Sequence, residues 1–205
     1  MKGSIVTTLL VPPSMPPQER FHQREWSRAE FYQMAEIGFF EGQRAELLEG
    51  QIVVQSPQNW PHASTVTRVY RILQSIFEPE YWVRMQLPLV LGLKSDPEPD
   101  VSVMPGRFED YSAHPTHAAS VVEVSDSSIY LDREIKSSIY AAARITEYWI
   151  VDLPNRRMIV HRQPQPDLLQ VYGTGYADIR ILDVGSSIHP LAKPQVEIRV
   201  ADLLS

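Results

Sequence analysis

Residues 120–127 read Ser-Val-Val-Glu-Val-Ser-Asp-Ser, and this stretch decides how the chain folds. Val121 and Val122 have the look of the middle of a buried strand, and Val124 continues it. Glu123 interrupts the run. A carboxylate among buried valines needs a fixed donor, a cation or a metal. Its partner must come from another part of the chain.

Punctuation and periodicity supply the neighbouring elements. Ser27 with Glu30 forms a capping box, which predicts a helix from Arg28 to about Ile37, closed by Gly38 and Gly42. Two apolar runs flank Glu49-Gly50 and predict a hairpin. Residues 58–62 read as a loop. From Ala63 onward Val66, Val69, Leu73, Ile76 and Phe77 recur at helical spacing, up to the break before Pro79. Residues 81–91 read as a strand and 94–100 as an acidic loop broken by prolines. Residues 101–104 and 118–126 give two further strands. A helix is expected from Leu131 to about Arg144, with Ile135, Ile139, Tyr140 and Ala143 on one face. Residues 147–154 form a strand that turns at Pro154-Asn155 into a hairpin partner, and short strands follow to about Ile198. This order predicts an α/β or α+β fold, a mixed central sheet flanked by helices.

Composition narrows the class. A length of 205 residues suits one domain, expected over 25–205, behind a proline-rich N-terminal arm over 1–24 that holds Pro12, Pro13, Pro16 and Pro17. Hydrophobic residues make up 43% of the chain, enough for a full core. No apolar run approaches the roughly 18 residues of a membrane-spanning helix, and the start lacks the apolar stretch and cleavage site of a signal peptide. Cysteine is absent, which excludes disulfides and thiolate metal sites and fits a cytoplasmic protein. The formal net charge of −6, with arginines and lysines scattered, argues against tight nonspecific duplex binding. A small basic cleft stays compatible with it.

Certain residue types on the central elements carry chemistry. Asp100 opens a strand directly after Pro99, Glu123 lies in the next strand, and Glu46 sits in the hairpin. Lys136 lies on the following helix, with Asp132 one turn before it. Two carboxylates from adjacent strands can hold a hard divalent cation such as Mg²⁺, which prefers oxygen ligands. Such an ion polarises a phosphoryl oxygen and acidifies a bound water. An ammonium nearby orients the attacking water or stabilises developing charge. The plainer alternative is that Glu123 only pairs with a cation at a strand end.

At these residues the chain resembles the Uma2 family, also called DUF820. The resemblance is carried by ELLEGQIVVQSP, EPDVSVM, VVEVSDSS and DREIKSSIYAAARITEYWIVD, and spans roughly Ser27 to Asp202. It implies a restriction-endonuclease-like core of the PD-(D/E)XK type. Pro99-Asp100 resembles the PD element and Glu123 the acidic residue of the second element. The lysine of that element would stand at 125, where this chain has Ser125. Lys136 matches family variants in which the lysine has moved to the next helix. Glu46 matches an extra acidic residue of the first core segment. The resemblance therefore implies Asp100, Glu123, Lys136 and Glu46 as catalytic residues. Asp100, Glu123 and Glu46 would be ligands for Mg²⁺ or Mn²⁺, DNA the partner, and a homodimer the assembly that makes two cuts. Rival readings are a binding module that keeps the fold without catalysis, and a metal-dependent hydrolase of small nucleotides.

Other residues read more plainly. His114 and His117 suit a solvated loop, and Asp96 and Glu98 suit solvated loop charges. Gly173-Thr-Gly175 suits a turn between strands. Tyr148 and Trp149 suit the core, and Asp132 either supports Lys136 from one turn away or, the reading favoured here, only forms an exposed helical pair with it. His62, by the resemblance, stands near the cleft entrance.

Overall fold

The computed structural model describes residues 23–204. Most of the arm expected over 1–24 lies outside these residues. Helix α1 (Arg28–Glu36) starts at the Ser27 capping box, with both reciprocal bonds formed. Strands β1 (Arg44–Leu48) and β2 (Gln51–Gln55) then make the expected hairpin, turning where Glu49 and Gly50 both take positive φ.

Helix α2 (Trp60–Phe77) begins three residues earlier than the apolar spacing suggests. Asn59 caps it, accepting a bond from the His62 N–H, and Pro61 fits the first turn, where no N–H is needed. His62 thus stands in a helix and not in a loop. Strand β3 (Tyr81–Met85) is shorter than expected. Gln86 adopts φ 52°, left-handed backbone that ends the extended run, and Pro88 cannot donate to a ladder.

Strands β4 (Val101–Pro105), β5 (Ser120–Ser125), β6 (Glu147–Asp152), β7 (Arg157–Pro166) and β8 (Thr174–Asp183) complete a six-stranded sheet in the order β3-β4-β5-β6-β7-β8. Only β5 and β6 pair in parallel, so the chain must cross over between them. The crossover is helical, as expected, but its first part, Leu131–Lys136, is π-helical and passes into α3 (Ser137–Ala142). The Ser137 N–H reaches back five residues to the Asp132 carbonyl. A small β-ribbon of β9 (Ser187–Ile188) and β10 (Ile198–Arg199), then helix α4 (Val200–Leu203), close the chain.

Strand alternation sorts the core into two layers. Val122, Val124, Trp149 and Val151 face α2, meeting Val66, Val69, Leu73 and Phe77. Val121, Tyr148 and Ile150 face the crossover helix, meeting Ile139 and Tyr140. Tyr148 and Trp149 are core residues, as their apolar flanks suggest. Glu123 alternates with Val121, so it points to the crossover-helix side. His114 and His117 are exposed. Asp96 corrects the loop reading: it is buried and accepts a bond from the Tyr32 hydroxyl at 2.6 Å. Among the described residues, no helix is long and apolar enough to cross a membrane.

Candidate active site

Residues far apart along the chain meet at one end of the sheet. In the antiparallel pair β4–β5, Val101 lies opposite Val122, so one further step sets Asp100 opposite Glu123. The pair is laced by the backbone: the Asp100 N–H donates to Glu123 Oε2 at 3.2 Å, and the Val124 N–H donates to Asp100 Oδ2 at 2.9 Å. Two carboxylates facing each other across strands repel, and these amide donors offset part of that cost.

Lys136 answers the question that Glu123 raises. Its Nζ lies 2.9 Å from Glu123 Oε1 and 3.1 Å from Glu46 Oε2, and the residue is only 3% exposed. The π-helical turn ends at Lys136, with the long stem reaching back to the strand. Tyr140, one turn further on, donates its hydroxyl to the same Glu123 oxygen at 2.7 Å. Burial works against protonation of Lys136, but Glu123 and Glu46 outweigh it and hold the amine charged, well above its ordinary pKa. Burial pushes the Glu123 carboxyl up from its usual range, against the pull of Lys136.

Glu46 is fully buried on β1. It also accepts from Gln55 Nε2 at 2.6 Å and from the Glu98 N–H at 3.0 Å. A cleft of about 290 Å³ opens onto Asp100, Glu123 and Lys136, with His62 and Asp132 also on its wall. Glu46 is not part of that wall and grips Lys136 from behind.

His62, which the resemblance sets near the cleft entrance, lies on the cleft wall with Nε2 3.3 Å from Asp100 Oδ2. Burial disfavours its charged form, but the bond and charge of Asp100 prevail and raise its pKa. In return, although burial opposes ionisation, His62 keeps the Asp100 carboxyl below its ordinary value. Gln86 donates to Asp100 Oδ1 at 3.1 Å, which gives its left-handed backbone a purpose; no sequence signal announces it. Asp132 corrects the exposed-pair reading. It is 2% exposed, lines the cleft and accepts from the Ser128 hydroxyl at 2.6 Å. On a helical wheel Asp132 shares the face of Ile135, Ile139 and Tyr140, so the spacing itself points it inward. Burial raises its pKa.

Among the described residues, no three carboxylate or imidazole groups form a cluster that could hold a metal ion. The oxygens of Asp100 and Glu123 are engaged by His62, Gln86, Lys136, Tyr140 and backbone amides.

Paired acids from neighbouring strands and a buried lysine from the crossover helix, at the end of a mixed sheet covered on both faces, define a restriction-endonuclease-like α/β protein. The chain belongs to the Uma2 family, whose model, described as "Putative restriction endonuclease", matches residues 28–200. Its fold is similar to that of a crystal structure described as "a putative nuclease belonging to DUF820 from Anabaena variabilis". The TM-score is 0.60 at 14% identity, over 78% of this chain and 88% of that one. None of the curated proteins matches.

Proposed function

We propose that the chain is a nuclease that hydrolyses phosphodiester bonds in nucleic acid with a divalent cation, Mg²⁺ or Mn²⁺. The observation that carries this reading is the buried Lys136 amine, 2.9 Å from Glu123 on the floor of a cleft that Asp100 also lines. Asp100 and Glu123 would hold the cation. Their fit rests on the donor set: hard carboxylate oxygens, with Asp126 and Asp132 as further acids on the wall and Lys136 and His62 as its cations. That excess of buried negative charge favours a bound cation. When bound, it supplies charge neutralisation at a phosphoryl oxygen and a more acidic water.

The remaining work falls to side chains. Lys136 has three N–H donors, and Glu46 and Glu123 take two of them; the third orients the attacking water or a phosphoryl oxygen. Glu46 acts through Lys136, fixing the amine. Gln86 and His62 aim the Asp100 carboxylate, and His62 turns away or rehydrates when the carboxylate takes a ligand.

Nicking of supercoiled plasmid tests the reading. Native protein with Mg²⁺ or Mn²⁺ is expected to nick, and Asp100→Asn and Lys136→Met to lose the activity by at least about a hundredfold. An inactive native protein sinks it. A second reading, hydrolysis of small nucleotides, is favoured by the net charge of −6 and the modest cleft. Turnover of free nucleotides without plasmid nicking supports that reading.

A further inference from the structure

We infer that two copies of this chain join along a free edge of the sheet, strand β8 against strand β8, in antiparallel pairing about a two-fold axis at Ile179. The inference concerns assembly and does not depend on the nuclease reading.

The sheet ends at β3 on one side and at β8 on the other. An edge strand turns the N–H and carbonyl of every second residue outward, where another strand can bond them. Proteins blunt such edges with short strands, prolines, bulges or inward-pointing charges. Strand β3 is blunted: it has five residues, and Arg84 within it is buried. Strand β8 is not. It runs for ten residues, from Thr174 to Asp183, with no proline and no positive φ. Among the described residues, no strand pairs with its outer edge. Ile179 is 53% exposed and Ile181 55% exposed, two large apolar side chains on one face of an open strand.

The sequence of β8, Thr-Gly-Tyr-Ala-Asp-Ile-Arg-Ile-Leu-Asp, selects its own copy as the occupant. When Ile179 stands opposite the partner's Ile179, Asp178 falls opposite the partner's Arg180, and Arg180 opposite the partner's Asp178. Ala177 then meets the partner's Ile181, and Ile181 meets the partner's Ala177. Apolar residues face apolar ones, and each acid faces a base. Moving the centre by one residue sets either Asp178 or Arg180 opposite itself, and like charges directly opposite are unfavourable. The charges therefore fix one register. Asp178 and Arg180 also pair within the strand at 2.8 Å, so the signs alternate around the axis. Edge charges of a single sign would repel a second copy; this pair complements it.

Analytical ultracentrifugation of the full chain tests the assembly. Native protein should sediment as a dimer at micromolar concentration. Arg180→Asp and Asp178→Arg should each weaken the dimer at least about tenfold, because like charges then oppose on both sides of the axis. Mixing these two variants in equal amounts should restore a dimer, since each chain offers the sign that the other lacks. Circular dichroism should stay native, because neither side chain is buried. The chain has no cysteine, so Ile179→Cys places one thiol on each copy. Under mild oxidation that variant should cross-link into covalent dimers, while Ile37→Cys, exposed at the end of α1, should not. A monomeric native chain overturns the inference. So does a dimer that both charge variants leave intact, or folded variants that mixing fails to pair. If a charge variant loses its native circular dichroism, the thiol decides: no covalent dimer from Ile179→Cys overturns the inference, and its formation supports it.

Discussion

Lys136 is a buried cation whose removal would strand two acids. Lys136→Met leaves Glu46 and Glu123 in a dry site without their counter-charge, a situation that costs about 3–5 kcal/mol. Urea unfolding should show a loss of that order, and adding Glu46→Gln should return part of it. A native-like midpoint in the single variant would mean that the amine is not the hub of this cluster. His161 makes a different residue-scale prediction. It is buried against the Tyr148 ring, with centroids 5.1 Å apart, and burial lowers its pKa from 6.5 to about 4. The folded state therefore keeps it neutral, while the unfolded chain takes up a proton below about 6.5. Its contribution is complete above that pH and is lost as pH falls towards 4. The shift corresponds to at most about 3 kcal/mol. Melting curves across this window should show that His161→Phe flattens the acid-side fall. An unchanged slope would assign acid sensitivity to other groups.

At the scale of elements, α2 links stability to the site. Its buried stripe of Val66, Val69, Leu73 and Phe77 holds it on the sheet, and its first turn delivers His62 to Asp100. Asn59→Ala removes both the cap and the tie to Asp126, and should cost about 1 kcal/mol in urea unfolding. Asn59→Gly, which suits a cap backbone, should cost less than alanine. The opposite ranking would show that the cap backbone does not set the cost. The crossover element teaches a related lesson. Its helical periodicity, with Ile139 and Tyr140 on the buried face, is plain in the sequence. The π turn within it is not, since a single wide turn leaves the apolar spacing nearly unchanged.

For the whole molecule, the proposed cation links binding to folding. Any ligand that binds only the native state raises its stability, by about 2.7 kcal/mol at a hundred times its dissociation constant. Mg²⁺ or Mn²⁺ should therefore raise the melting temperature, EDTA should reverse the rise, and Asp100→Asn should abolish it. A melting temperature indifferent to both ions would speak against cation binding by the acids on the wall. The cleft's acid excess gives the effect its sign: the ion relieves repulsion that the native fold alone must bear.

Local chemistry determined a good deal of this protein from sequence alone. The Ser27 capping box, the Glu49-Gly50 turn, the stripe of α2 and the valines around Glu123 each declare themselves through contacts a few residues apart. The pattern around Asp100, Glu123 and Lys136 was legible through family resemblance, though the lysine's reach was not. Tertiary structure alone decided that reach, along with the retreat of Glu46 behind the amine and the contacts of His62 and Gln86 with Asp100. The reason is physical. Periodicity reports which side of an element is dry, but the direction of a long polar side chain is set by partners that arrive from elsewhere in the chain when the sheet and its two helical layers close around it.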